Sequence, residues 1–313
     1  ALASRNRGKH IITSRVEHKA VLNSCKALEK LGFEVTYLPV DRYGRVSPEE
    51  VRRHLRKDTI LISIIYANNE IGTINPMREI GAIAREAGVP FHSDAVQAFG
   101  KIPISVRDTG IDLLSLSSHK IYGPKGVGAL YVRRGTPLWP LQDGGGHEKG
   151  RRAGTENVPG IVGLAAAARL AFEQMETDAR NIGELRDYFW NKIQQAIPDV
   201  VLNGHPTERL YHNLNVSFPG CDSDTLLVAL DMAGIAASSG SACDSGVVEP
   251  SHVLQGMGAP KEVGISALRF TLGRGTTRED LDYTVEKLQA IVAQARSLRG
   301  RGRRQTPARR SFN

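Results

Sequence analysis

Four stretches of this chain carry the residue types that can do chemistry, and three of them stand at the ends of apolar runs. Val89-Pro90-Phe91-His92 leads into Ser93-Asp94-Ala95-Val96-Gln97, and Leu113-Leu114-Ser115-Leu116 leads into Ser117-Ser118-His119-Lys120. Ile64-Ile65-Tyr66 leads into Ala67-Asn68-Asn69-Glu70. A lysine held against an apolar sheet loses hydration, which disfavours its charged form and makes it a nucleophile toward an aldehyde. Taken alone, Lys120 reads better as an ordinary exposed strand-end lysine. Asp94 could pair with a protonated heterocyclic nitrogen, the arrangement used around pyridinium cofactors held by lysine, and equally could cap a helix. The fourth stretch, Ser238-Ser239-Gly240-Ser241-Ala242-Cys243-Asp244-Ser245-Gly246, is small and polar with one thiol in its middle. Free cysteine is ordinarily buried. A thiolate on such a loop can serve as a nucleophile, and the alternative, an incidental surface cysteine, is about as good. Gly123, Gly126 and Gly128 lack the Gly-Lys-Ser/Thr ending of a nucleotide loop and read as a tight turn into a strand.

The elements that must position these groups alternate. His10–Thr13, Phe33–Leu38, Thr59–Tyr66, Val89–His92, Ile111–Leu116 and Gly128–Val132 read as strands. Val21, Leu22, Cys25, Leu28 and Leu31 recur at helical spacing before Gly32, Ser47-Pro48-Glu49-Glu50 is a capping box, and Met77–Ala87 is a helix that Gly88 closes. Cys25 falls on the apolar stripe. Strands alternating with helices predict an α/β unit with a mostly parallel sheet, whose ligands bind beyond the carboxyl ends of the strands. After residue 155 the texture changes. Val158–Met175 and Ala179–Ile197 read as two helices, Asp222–Ala233 and Arg278–Leu298 as two more, and Asn213–Phe218, Ile235–Ser238 and Ala267–Leu272 as strands. The expected organisation is a large domain over 1–170, a smaller α+β domain over 171–298 and a basic tail over 299–313.

The 313 residues are 41% hydrophobic and 24% charged, which excludes a disordered chain and a small disulfide scaffold. No apolar run approaches the roughly eighteen residues needed to cross a bilayer, so no membrane partner is expected. Net charge is +8, yet seven arginines fall in 296–313; the rest of the chain carries 34 basic against 33 acidic residues. The basic tail is read as a solvated segment rather than a nucleic-acid arm. Cys25, Cys221 and Cys243 are widely spaced and odd in number, which argues against disulfides and a structural metal site and for the cytoplasm. Cys221, beside Pro219-Gly220, reads as a turn residue. The first residues lack a signal-like core, and the sequence reads as starting partway along a longer one.

In series, HIITSRVEHKAV, YANNEIGT, FHSDAVQAFGKIPI, SLSSHKIYGPKGVGALYVRR, GGGHEKGRRAGTENV, SSGSACDSGVVEPSHVL and LRFTLGR resemble the cysteine desulfurases of the iron–sulfur cluster assembly and nitrogen-fixation type. They follow the family's order over most of residues 10–275. The resemblance implies the aspartate aminotransferase-like fold type I, pyridoxal 5′-phosphate as cofactor, L-cysteine as substrate, a homodimer, and an iron–sulfur scaffold or other sulfur-acceptor protein as partner. By position it assigns Lys120 to the Schiff-base lysine, His18 to the imidazole stacked on the cofactor ring, Asp94 to the partner of the ring nitrogen and Gln97 to the group near the ring oxygen. It assigns Asn69 to contacts with cofactor and substrate, Ser117 and His119 to the phosphate, and Thr155 to the phosphate across a dimer interface. Arg269 matches the clamp on the substrate carboxylate and Cys243 the thiol that takes the sulfur, leaving alanine and a persulfide. The family carries roughly a further quarter of chain before residue 1, with the Gly-Ala-Thr-Glu-like loop that holds the phosphate, and this sequence lacks it. Two other readings follow: a selenocysteine lyase, and a cofactor-free, non-catalytic fragment.

Overall fold

The computed structural model describes residues 1–240 and 249–304, with side chains through Leu298. Six strands, β1 (His10–Ser14), β2 (Glu34–Leu38), β3 (Thr59–Ser63), β4 (Phe91–Asp94), β5 (Leu113–Ser117) and β6 (Gly128–Val132), form one sheet in the order β2-β1-β3-β4-β5-β6. The first five run parallel and β6 turns back antiparallel on β5. Helices α1 (Lys19–Lys30), α2 (Pro48–His54) and α3 (Met77–Glu86) make the crossovers. Every residue of β1 is buried, as expected of a parallel strand covered on both faces. Ile12, Ile62, Ile80, Phe91 and Ile111 form the centre of the packed core. Gly32 ends α1 at φ 82°, a conformation open to glycine without a Cβ penalty. The capping box is built differently from the expected pattern. The Ser47 hydroxyl accepts from the Glu49 amide at 3.2 Å and donates to the Glu49 carboxylate at 2.6 Å. Glu50 instead faces Arg53 and His54.

The apolar run after β3 stays buried through Ala67, Ile64 and Tyr66 still donating to the His92 and Asp94 carbonyls of β4, and the chain turns only at residue 68. Asn68 is the reason. Its side-chain oxygen accepts from the amides of Glu70 and Ile71, at 2.8 and 3.1 Å, and its nitrogen donates to the Val16 carbonyl at 2.8 Å. A side chain that satisfies three backbone groups makes a turn where an apolar run alone would continue as strand.

Next come a single turn, α4 (His147–Gly150), and then α5 (Val158–Ala196). The two helices expected here are one helix of 39 residues. Glu176-Thr177-Asp178 contains neither Gly nor Pro, and Asp178 binds Arg274 rather than capping a new helix. The first half of α5 packs Leu164, Ala167 and Ala171 on Ile121. Its second half packs Ile182, Phe189 and Ile193 on a second core. That core lies under an antiparallel sheet, β7 (Val201–Asn203), β8 (Asn213–Ser217), β9 (Ser238–Ser239) and β10 (Ala267–Thr271), ordered β7-β8-β10-β9. The strand expected at Ile235–Ser238 shrinks to two residues because Gly234 closes the preceding helix α6 (Ser223–Met232) and Ile235 turns back to bond Leu230. Cys221 closes the turn through Pro219-Gly220, its amide donating to the Phe218 carbonyl at 3.0 Å, and is at the same time a core residue, 2% exposed. Short helices α7 (His252–Gly256) and α8 (Lys261–Gly264) precede β10, and α9 (Arg278–Arg304) follows it. The backbone of 299–304, assigned from the sequence to the tail, continues α9. Residues 305–313 lie outside the described residues. Among the described residues no helix is long and apolar enough to cross a membrane.

Candidate active site

Parallel strands end on one edge, so the polar residues that follow β1, β3, β4 and β5 gather there without further instruction from the sequence. Asp94 closes β4 and Ser117 closes β5, while one 3₁₀ turn, Ser118–Lys120, carries His119 and Lys120 past the sheet. His18 caps α1 and Asn69 sits in the turn built by Asn68. These residues line one cavity of about 710 Å³ together with Gln97 and, from the other sheet, Arg269. Eight of the ten residues singled out from the sequence therefore share a wall. Thr155 is exposed in the loop before α5 and does not line the cavity. Cys243 lies outside the described residues.

Asp94 is 8% exposed, and its Oδ1 accepts from the Val96 amide at 3.0 Å. Burial raises its pKa above the usual carboxylate value, opposed by that bond and by His18 nearby. The Nδ1 of His18 accepts from the Ala20 amide at 3.1 Å, which leaves Nε2 as the proton-bearing nitrogen of the neutral ring. The Ser117 hydroxyl and His119 Nδ1 lie 2.8 Å apart. Arg269, in the middle of β10, donates through Nη1 to the Asn69 carbonyl at 2.9 Å. Its Nε is buried with no hydrogen-bond partner among the described residues.

Two lysines stand at this edge. Lys120 is exposed, because the 3₁₀ turn carries it clear of the apolar sheet. Lys101 is the desolvated one: burial first, and then the charge of Lys120, push its pKa down to about 8. Its Nζ donates to the carbonyls of Lys120 and Gln97, at 2.9 and 3.3 Å. Lys101 also lines a smaller cavity of about 250 Å³, which shares Asn69, Gln97, His119, Lys120 and Arg269 with the first and extends between the two sheets. Its far wall is latched by Arg274, paired with Asp178 at 2.7 Å and set 5.1 Å from the Tyr122 ring centroid.

Two more titratable groups at this edge escaped the sequence reading. Glu17 is fully buried, with Oε1 accepting from the Ser14 hydroxyl at 2.6 Å and the Ile65 amide at 2.9 Å. Desolvation raises its pKa to about 8 despite these bonds. His92 is hydrogen-bonded to Ser63 at 2.8 Å and Ser115 at 2.9 Å, and burial lowers its pKa to about 4. A signal for His92 existed: strand alternation puts it on the same face as Asp94. None existed for Glu17 or Lys101, whose burial depends on residues more than ten positions away.

The wall thus offers a primary amine for an aldehyde, a buried carboxyl for a cationic ring nitrogen, a hydroxyl–imidazole pair for an anion and a guanidinium with an open donor for a carboxylate. Among the described residues no group of three His, Cys, Asp or Glu side chains is placed to hold a metal ion.

The profile of one protein family, aminotransferase class-V, matches residues 1–284. A cysteine desulfurase IscS of Dictyoglomus turgidum is 53% identical over 298 residues, which cover 95% of this chain and 76% of that protein. A cysteine desulfurase IscS of Methanosarcina thermophila is 54% identical over 298 residues, covering 95% and 74%. Among solved structures, a NifS-like protein superposes with a TM-score of 0.86 at 38% identity, over 93% of this chain and 78% of that one. SspA in complex with cysteine superposes with a TM-score of 0.74 at 39% identity, over 87% and 76%.

Proposed function

The chain belongs to the aminotransferase class-V family and, within it, to the cysteine desulfurases; from that premise we propose that it removes sulfur from L-cysteine in the carboxyl-end cavity, with pyridoxal 5′-phosphate as its cofactor and Cys243 as the sulfur acceptor. The observation that carries this reading is the convergence of Lys120, Asp94, Ser117, His119 and Arg269 on one cavity.

The residues present fit the cofactor. Lys120 would hold its aldehyde carbon, Asp94 its ring nitrogen, Gln97 the ring oxygen, and Ser117 and His119 its phosphate, with His18 over the ring and Asn69 beside cofactor and substrate. A buried carboxyl whose ionisation is opposed by desolvation is stabilised as a carboxylate once a cationic N–H faces it. When bound, the cofactor supplies an electron sink that acidifies the substrate α-carbon and loosens the bond from the β-carbon to sulfur.

The chain does the rest. Arg269 fixes the substrate carboxylate through donors that its bond to Asn69 leaves open. The Lys120 amine, exposed at the junction of the two cavities, takes the α-proton. His18 can pass a proton only through Nε2, since Nδ1 is held by the Ala20 amide. The Cys243 thiolate attacks the substrate sulfur as the carbon–sulfur bond breaks. L-cysteine and one protein thiol become L-alanine and one protein persulfide, a balance that needs no outside oxidant.

Trp139, Leu141, Val158, Ile161 and Val162 are exposed on either side of Thr155. An apolar surface of this kind supports a homodimer, in which Thr155 would serve the phosphate of the partner's cavity. The proposed large domain is 1–170 and the smaller one 171–298. The proposed setting is the cytoplasm, with an iron–sulfur scaffold or other sulfur-acceptor protein receiving the persulfide sulfur.

The test is Cys243→Ala in the cofactor-loaded protein. Cofactor absorbance is expected to be unchanged and sulfide release from L-cysteine lost. Undiminished sulfide release would overturn the assignment of the thiol.

A further inference from the structure

Glu70 follows Asn69 in the turn after β3, and its carboxyl is buried, 7% exposed, at the junction of the two sheets. The main chain here is fixed on both sides. The Glu70 amide donates to Asn68 at 2.8 Å, and its carbonyl accepts from Asn213 and Asn215 of β8, at 3.2 and 3.1 Å. The carboxyl meets two points of the chain that are close in space and eleven positions apart in sequence. A Cβ on Gly240 would stand 2.4 Å from Glu70 Oε2 and 2.8 Å from the Ser251 Cβ, so the main chain at 240 lies directly on both side chains. Oε2 has no hydrogen-bond partner among the described residues. Burial raises the Glu70 pKa, while the Ser251 hydroxyl and the charges of His252, Arg269 and Lys19 act in the other direction.

Each point is tied in turn to the active-site wall. Gly240 follows β9, whose Ser238 is in register with Arg269 on β10. Ser251 caps α7 by accepting from the Leu254 amide at 3.1 Å, and His252 is hydrogen-bonded to the Glu17 carbonyl at 2.9 Å. Between them lies the stretch of sequence that includes Cys243.

We propose that Glu70 is a positioning residue for Cys243, its carboxyl clasping Gly240 and Ser251 together beside Arg269 so that the chain bearing the thiol leaves and returns at one fixed place. This rests on the reading of Cys243 as the sulfur acceptor. Fixing the two ends of a tether confines whatever it carries and raises the effective concentration of the thiol at the substrate sulfur. The clasp touches neither the amine that takes the α-proton, Lys120 on the parallel-sheet wall, nor the ring that would stabilise its loss.

The two steps can be read separately in the cofactor-loaded protein. Exchange of the substrate α-proton with deuterated solvent needs Lys120 and Arg269 but no thiol. Persulfide on Cys243 in a single turnover, followed by mass spectrometry, needs the thiol in place. Glu70→Ala opens the clasp and Gly240→Ala wedges it from the opposite side. For both variants persulfide formation is expected to slow roughly ten- to hundredfold, with α-proton exchange within about twofold of the parent. In the cofactor-free protein, Cys243 in both variants is expected to react with iodoacetamide at a rate different from the parent's. Equal loss of exchange and transfer in either variant, transfer at the parent rate, or an unchanged alkylation rate would each overturn the proposal. Cys243→Ser separates this failure from failure of the underlying reading. If that variant still releases sulfide from L-cysteine, the thiol assignment is wrong and the clasp falls with it. If it releases none while Glu70→Ala transfers sulfur normally, only the clasp is wrong.

Discussion

The six-stranded and four-stranded sheets supply the same cavity by different means. From the parallel sheet, Asp94 and Ser117 arrive as the last residues of their strands, and His18, Asn69, His119 and Lys120 soon after strands that all end on one edge. From the antiparallel sheet, Arg269 arrives in mid-strand and is aimed by register, opposite Asn215 on one side and Ser238 on the other. A parallel sheet places a set of groups by topology, and each member is locally replaceable. An antiparallel strand places one group by side-chain alternation, and a slip of one residue would turn Arg269 away from the cavity altogether. Cofactor binding should therefore depend on many residues of the first sheet, and substrate binding steeply on one residue of the second.

The sharpest way to break this comparison is Arg269→Lys. A point charge cannot reproduce a planar fork, and loss of the paired contact to a carboxylate is expected to raise KM for L-cysteine on the order of a hundredfold. Cofactor affinity, followed by absorbance titration, should stay close to the parent's. If both fall together, the two sheets do not divide the work as described.

Glu17→Gln probes the edge of the parallel sheet. A carboxyl held protonated by burial makes the folded chain retain a proton that the unfolded chain releases. Its stabilising contribution is complete below the ordinary value of 4.5 and is lost as pH rises through about 8. Glutamine keeps an oxygen for the Ser14 hydroxyl and the Ile65 amide and never ionises. The variant is expected to gain on the parent by about 3 kcal/mol between pH 5 and pH 8. Denaturant melts at the two pH values check this; parallel pH dependence in both proteins would remove Glu17 as the source.

Lys101→Met is the smallest of the three. It deletes the donor that ties the carbonyls of Gln97 and Lys120 and leaves the side chains lining the large cavity in place. Cofactor affinity is expected to weaken roughly tenfold, the scale of one lost charge-assisted hydrogen bond, with KM for L-cysteine less affected. A larger change in KM than in cofactor affinity would assign Lys101 to the substrate side.

Much of the parallel sheet is legible in the sequence because a buried strand that ends in polar residues announces both itself and its useful edge. Thr59–Ser63 followed by Asn68 and Asn69, and Phe91 followed by Asp94, are cases. What escaped depends on partners far along the chain. Glu17 and Lys101 look like ordinary surface charges until Ile65 and the Lys120 carbonyl fold around them. Cys221 is the turn residue it looks like, but its cover, Val292 of α9, lies 71 positions away. The continuity of α5 was hidden by Glu176-Thr177-Asp178, three polar residues that suggest a break, although nothing in them breaks a helix. Lys120, by contrast, is exposed as an ordinary strand-end lysine would be, carried clear of the sheet by one 3₁₀ turn.

The most direct test of the account is chemical. The protein is loaded with pyridoxal 5′-phosphate, reduced with borohydride, digested and mapped by mass spectrometry. The added pyridoxyl mass is expected on the peptide carrying Lys120. The same mass on Lys101, the half-buried lysine lining the adjoining cavity, or on no lysine at all, would contradict the account.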